Sequence, residues 1–349
     1  MESKTNFEIH EQYKALEKTV ALLKAKRNEC KEFFAKANPT SVIAVGCGSS
    51  YELSQAVATS ARIHLNVASI ALAGGDLMLH VEKYRNLFEG SPILITVSRS
   101  GSTSEVIYSL RELKEKFPAL KVVCIACTED SEIAALSDMV IEMPWAFDCS
   151  VCQTRSITNL YAAAMLFIAS AGDIDEVFDS YSLLADKGED YLASMEDTIK
   201  EIGSMDFTSA VVLCDGEGSP VADEAALAFN EISYTPSMYK HLLDVRHGPV
   251  VLINEKTVVI AKLDIDGFEY QRDLITDIVK RGAVVVVVTD EKIEQIQGVK
   301  TNITFEQKLH PMATVAILLP VAQLMSYYRA VAIGVDPDQP EGLAPCIEL

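Results

Sequence analysis

Positive charge is scarce in this chain of 349 residues: 30 Lys plus Arg stand against 50 Asp plus Glu, a formal net charge of −20. Nucleic acid and anionic membrane surfaces are therefore not expected partners, since both are repelled over most of the surface. An anionic ligand would have to be held by local geometry. No uninterrupted apolar run reaches the roughly 18 residues of a spanning helix. The opening segment "MESKTNFEIHEQYK" has neither the basic nor the apolar stretch of a secretory leader. A cytoplasmic location is the expectation. Eight cysteines in a chain this long do not form a disulfide framework and fit a reducing compartment.

Two CxxC pairs, Cys124 with Cys127 and Cys149 with Cys152, have the spacing of a zinc site. The surrounding "KVVCIAC" reads as a buried strand, however. Strand side chains alternate faces, so positions three apart point to opposite sides and do not readily share an ion. No metal is expected.

With 49% hydrophobic residues the chain can bury large cores, and its length suits two domains. Five short apolar runs at 41–46, 67–74, 92–98, 121–127 and 139–144 lack period-two alternation, the pattern of strands buried on both faces. Helical patterns lie between them. In "STSEVIYSLRELKEKF" the apolar Val106, Ile107, Leu110 and Leu113 share a face, Ser102 or Thr103 suits the N-cap, and Glu105 suits the first turn. Strand, loop and helix repeated this way predict a doubly wound α/β sheet.

A helix is predicted over about 155–171, and an acidic helical stretch at 176–205 reads as a connection. The pattern then restarts with strands at 210–216, 257–264, 283–290 and "TNITF", helices at 219–233 and 267–281, and a long apolar helix at 311–333. The expected organisation is N-terminal helices over 1–40, a first domain over 41–175, the connection, and a second domain over 206–349, a weak internal repeat.

Three polar loops fall where an open parallel sheet binds ligands, beyond the carboxyl ends of strands. They are "GCGSSYE" (46–52), "SRSGSTSE" (98–105) and "SVCQTRS" (150–156). Each is rich in small residues and leads into a helix whose first amides lack partners. Any one loop reads equally as turn and cap residues. Three together suit a phosphate held by dipoles and hydroxyls, a device open to an acidic protein. "GCGSS" is not a dinucleotide fingerprint, because Tyr51 stands where the third glycine is required. In the second half, Glu231 ends a helix and His247 opens a "HGP" turn leading into an apolar strand. A carboxylate and an imidazole commonly move protons near neutral pH. Spacing alone reads them equally as a solvated helix end and a turn residue.

In order, "GCGSSY", "VSRSGSTSE", "SVCQTRS", "NEISY", "VRHGP" and "DPDQPEGLA" resemble the sugar isomerase (SIS) domain family, and within it the isomerase half of glucosamine-6-phosphate synthase and its tandem relatives. The resemblance runs from about Ser41 to the end. It implies two flavodoxin-like SIS domains in tandem, each a parallel sheet flanked by helices, with a phosphorylated sugar or amino sugar bound by the first and no cofactor. Ser50, Ser98, Arg99, Ser100 and Thr103 would hold the phosphate. Gly48, Ser49, Val151, Gln153 and Ala344 would line the sugar. Glu231 would carry a proton between C1 and C2, and His247, contributed by a neighbouring subunit of a homodimer or dimer of dimers, would assist ring opening.

Several departures bear on the reaction. No glutaminase segment is present in the sequence, so glutamine-dependent synthesis is not expected. The lysine that forms a Schiff base in the synthase is replaced by Pro345, and a lysine three residues before the glutamate by Ala228. A substrate already carrying nitrogen needs no enzyme amine, which leaves amino-sugar-phosphate deaminase/isomerases and deglycases of 6-phosphorylated fructosamines. "VRHGPVVLINEKTVV" favours the former. Arg99 replaces a glutamine; a guanidinium grips phosphate through paired bonds, the alternative being a carboxylate of the acidic surface. A non-enzymatic phosphosugar sensor is the competing class. The stretch before Ser41 fits one or two short packing helices, not a DNA-binding module with a basic face.

Overall fold

The computed structural model describes residues 3–344 and 349. The chain divides into two compact units. The first contains Glu11–Cys149 and Gln153–Asp186; the second contains Lys187–Leu343 with Ser150–Cys152 and the described residues up to His10.

The N-terminal stretch forms α1 (Lys4–His10) and the 26-residue α2 (Gln12–Ala37), longer than the short helices expected, with α1 in the second unit and α2 in the first. The first unit continues with β1 (Ser41–Gly46), α3 (Ser49–His64), β2 (Ala68–Ala73), α4 (Gly74–His80), β3 (Pro92–Ser98), α5 (Ser104–Lys116), β4 (Lys121–Ala126), α6 (Glu132–Ala135), β5 (Met139–Glu142) and α7 (Arg155–Gly172). The sheet is parallel in the order β2-β1-β3-β4-β5. β3 is buried along its whole length, as its unbroken apolar run predicts. β2 corrects that expectation: as an edge strand it leaves Ala68 and Ile70 exposed. Helix α7 is apolar all round and almost wholly buried. Polar links fix its register on α2: Thr19 donates to Asn159 Oδ1 (2.6 Å) and Thr158 to Gln12 Oε1 (2.7 Å).

The predicted connection is one 29-residue helix, α8 (Asp175–Gly203). The second unit follows with β6 (Ser209–Leu213), α9 (Ser219–Ser233), β7 (Ser237–Lys240), β8 (Thr257–Lys262), α10 (Phe268–Val279), β9 (Val284–Thr289), β10 (Thr301–Thr304), α11 (Pro311–Thr314) and α12 (Leu319–Ile333). Its sheet is also parallel, in the order β10-β9-β8-β6-β7. Counted from its own first strand this is again 2-1-3-4-5, the flavodoxin-like order, so the repeat weakly visible in sequence is a repeat of topology.

Three features differ from the sequence reading. Strand β7 has no apolar run, because as an edge strand it is only half-buried. "VVLI" after the "HGP" turn is not a strand: Pro249–Leu252 form a 3-10 turn with Val251 and Leu252 exposed. The long apolar helix is interrupted by a 3-10 turn at Val315–Ile317 and restarts with Pro320, which has no N–H for the preceding turn. By length and composition Pro311–Ile333 could cross a membrane, but 67% of its apolar window is buried within this chain.

Candidate functional site

In a 2-1-3-4-5 sheet the connections leave in opposite directions from strands one and three, opening a crevice at their carboxyl ends. In the first unit these are β1 and β3, paired in parallel from Ser41↔Pro92 to Val45↔Thr96. The loop after β1 is tight: a Cβ on Gly46 would lie 2.3 Å from the Ser50 carbonyl oxygen, and Gly48 has φ +55°. Ser49 and Ser50 start α3 and are each 6% exposed. Neither hydroxyl makes a hydrogen bond to another described residue, an arrangement that leaves buried donors for a ligand.

The loop after β3 folds on itself. Ser98 Oγ accepts from the Gly101 N–H (3.0 Å) and lies 3.4 Å from Thr103 Oγ1, while Ser100 Oγ accepts from the Ser102 N–H (3.2 Å). Gly101 has φ +62°, and a Cβ there would come within 2.2 Å of Ser131 Oγ. Thr103 takes the N-cap position of α5, but its hydroxyl does not cap the helix. It turns towards Ser98. Gly48, Ser49, Ser50, Ser98, Ser100 and Thr103 thus line adjoining loops at one edge of the sheet.

Arg99 belongs to the same loop but is buried at 6% exposure, with its guanidinium carbon 5.8 Å from the Phe147 ring centroid. Its carbonyl accepts from the Cys127 N–H and Thr128 hydroxyl, both at 3.2 Å. The backbone of Arg99 is therefore tied to the loop after β4, and its side chain is buried. Burial drives the Cys127 thiol well above its ordinary range, the Asp148 charge adds to this, and the Arg99 and Arg155 guanidinia oppose it. Cys47, in the first loop, is pushed by burial and by Glu105 up to about 11.

Asp148 is a residue the sequence reading missed. It is 1% exposed, and its Oδ2 accepts from the Thr154 N–H (2.8 Å), Ser156 N–H (2.9 Å) and Ser156 hydroxyl (2.5 Å), binding the start of α7. Oδ1 has no hydrogen bond and lies 3.7 Å from Arg155 Nε. Burial raises its pKa, against the lowering effect of these hydrogen bonds. An aspartate seven residues ahead of a helix does not carry the usual N-cap signal. The third polar loop is divided, not continuous. Gln153 stays with the first unit, where its Oε1 lies 3.2 Å from Ser156 Oγ. Ser150, Val151 and Cys152 belong to the second: Glu8 accepts from Ser150, and Asp338 O accepts from the Val151 N–H (3.2 Å).

In the second unit Glu231 is half-buried in the last turn of α9, which Tyr234 closes at φ +51°. Ala228 is 5% exposed and packs on Ile232, Ala330 and Cys152, leaving its position apolar. His247 is exposed at the end of a 3-10 turn, Leu243–His247. Asp338 of the terminal motif, also missed in sequence, accepts from the Ser3 hydroxyl and the Lys4 and Thr5 N–H groups at 2.7–2.9 Å, clasping α1. Ala344 is exposed, and Pro345 lies outside the described residues. Among the described residues no three His, Cys, Asp or Glu side chains are placed to share a metal ion.

Residues 34–170 match the SIS domain family. The glutamine–fructose-6-phosphate aminotransferase of Pseudomonas syringae is 27% identical over 97% of this chain and 58% of its own length; that of Caldanaerobacter subterraneus is 30% identical over 76% and 45%. The chain spans about half the length of these relatives. Among solved structures, the tagatose-6-phosphate ketose/aldose isomerase of Escherichia coli superposes with a TM-score of 0.84 (21% identity, 99% of this chain and 96% of that one). The glucosamine-6-phosphate deaminase of Thermotoga maritima gives 0.80 (23%, 99% and 100%). The C-terminal domain of the Francisella tularensis glucosamine-fructose-6-phosphate aminotransferase gives 0.81 (19%, 97% and 99%). A match over residues 34–170, relatives aligned along the chain, and two sheets of one strand order make this a chain of two flavodoxin-like units in tandem, the first of them a member of the SIS domain family.

Proposed function

We propose that the protein is a phosphosugar enzyme that converts an amino-sugar 6-phosphate to a ketose 6-phosphate and ammonia. The observation that carries this reading is the crevice between β1 and β3, where buried, unengaged hydroxyls of Ser49 and Ser50 adjoin the Ser98–Thr103 loop. Ser50, Ser98, Ser100, Thr103 and the buried Arg99 hold the phosphate. Gly48, Ser49, Val151, Gln153 and Ala344 line the sugar.

Once the ring opens with help from His247, Glu231 takes the proton from C2 of the 2-amino aldehyde. The resulting enolamine regains that proton at C1, and the imine left at C2 is hydrolysed by water, releasing ammonia. A carboxylate that takes and returns one proton suffices for the transfer, with no metal or organic cofactor assigned. The apolar setting of Ala228 supports a substrate that brings its own nitrogen. We assign the working form to a homodimer or a dimer of dimers with His247 reaching the partner's site. The seven cysteines among the described residues are all free, which supports a reducing, cytoplasmic setting.

The test is a panel of amino-sugar 6-phosphates and 6-phosphofructosamines, with products followed by mass spectrometry. Ammonia release supports the deaminase; release of an amine or amino acid would assign a deglycase instead. Binding of the panel without turnover would replace the enzyme with a sensor. Glu231→Gln is expected to lower turnover by roughly 10²–10⁴-fold with phosphate binding retained.

A further inference from the structure

The second unit repeats the strand order of the first, so it has a crevice of its own where β6 and β8 adjoin and β7 lies beyond β6. A cavity of about 620 Å³ occupies this place, lined by Asp215–Gly218 after β6, Asp264–Asp266 after β8, and Asp290 and Glu291 after β9. That volume falls within the several hundred cubic ångströms usual for small-molecule sites. The chemistry of the walls is opposite to that of the first unit. Six carboxylates and two lysines line it, where the equivalent loops of the first unit carry serines and threonines.

Lys262 does not offset this charge, because its side chain is 3% exposed and ion-paired with Asp264. Asp215 is engaged by His241 Nδ1 (2.8 Å) and the Leu242 N–H (3.2 Å). Asp290 differs. It is 8% exposed, its Oδ2 accepts from the Leu309 N–H (3.0 Å), and its Oδ1 has no hydrogen-bond partner among the described residues. The residue is nine-tenths buried in the cavity wall, so a donor from whatever fills the cavity would complete the hydrogen bonds of its carboxylate. A phosphate is repelled there, and no three ligating side chains among the described residues are placed for a metal ion.

We propose that this cavity is a second binding site, for an unphosphorylated small molecule carrying a primary ammonium group that binds Asp290. The site does not depend on the reaction assigned above, and loss of turnover in Glu231→Gln would leave it untouched. Saturation-transfer NMR on the full chain tests it, with glucosamine and glycinamide as cationic probes that separate an amino sugar from an amino-acid amide and glucose as the neutral control. Runs are made with glucose 6-phosphate at saturation to occupy the first unit. Transfer to at least one cationic probe and none to glucose is expected, weakened about tenfold or more by Asp290→Asn. Ile265→Trp, placed at an exposed position of the wall, gives the same loss by filling the space should Asp290→Asn not fold. Silence of both cationic probes, their displacement by glucose 6-phosphate, or undiminished binding in a folded variant overturns the proposal.

Discussion

At the scale of single residues, Arg99 and Asp148 are both buried, and their charges act in opposite directions on the Cys127 thiol. A charged hydrogen bond contributes about 1.5–3 kcal/mol, so Arg99→Gln is expected to weaken binding of a sugar 6-phosphate roughly tenfold or more. Isothermal titration checks this, and unchanged affinity would remove Arg99 from the phosphate site. Asp148 makes a prediction about stability. Burial holds its folded pKa above the ordinary 3.8, so with rising pH the unfolded chain loses this proton first. Its contribution to stability therefore falls as pH climbs from 3.8 to the raised folded value, and is constant beyond it. Asp148→Asn cannot titrate. The melting temperature of the wild type, measured against that of the variant, should decline as pH rises above 3.8; a constant difference would mean the carboxyl is not perturbed.

At the scale of elements, the loop joining β3 to α5 works only with glycine at its centre. Gly101→Ala sets a Cβ against Ser131 in a left-handed backbone. Strain of this kind costs on the order of 1–3 kcal/mol, visible as a lower urea midpoint, and phosphosugar affinity should fall with it because Ser98 loses its partner N–H. The central strands were legible in sequence because burial on both faces demands unbroken apolar runs, as in β3 and β9. Edge strands were not: β7 is half-buried and carries no such run. The "VVLI" segment has the composition of a strand but no neighbouring strand to pair with, and it forms an exposed 3-10 turn.

At the scale of the molecule, the assigned dimer makes a sharp prediction. If Glu231 and His247 serve each site from different subunits, mixing Glu231→Gln with His247→Ala and allowing exchange restores roughly a quarter of the wild-type activity, since half the dimers are mixed and one of their two sites is intact. No recovery after exchange, verified by native mass spectrometry, would put both residues in one subunit. The sequence by itself determined the parallel α/β class and the two-fold repeat, because apolar runs and glycine- and serine-rich turns are local demands of buried strands and tight loops. It also supplied the ordered motifs of the family. Only the tertiary structure decided that Arg99 lies buried by Phe147, that Asp148 binds the start of α7, and that the third polar loop divides at Gln153. It also decided that the second crevice is walled by carboxylates. Those facts depend on which side chains meet after the sheets have formed, and spacing along the chain does not encode that.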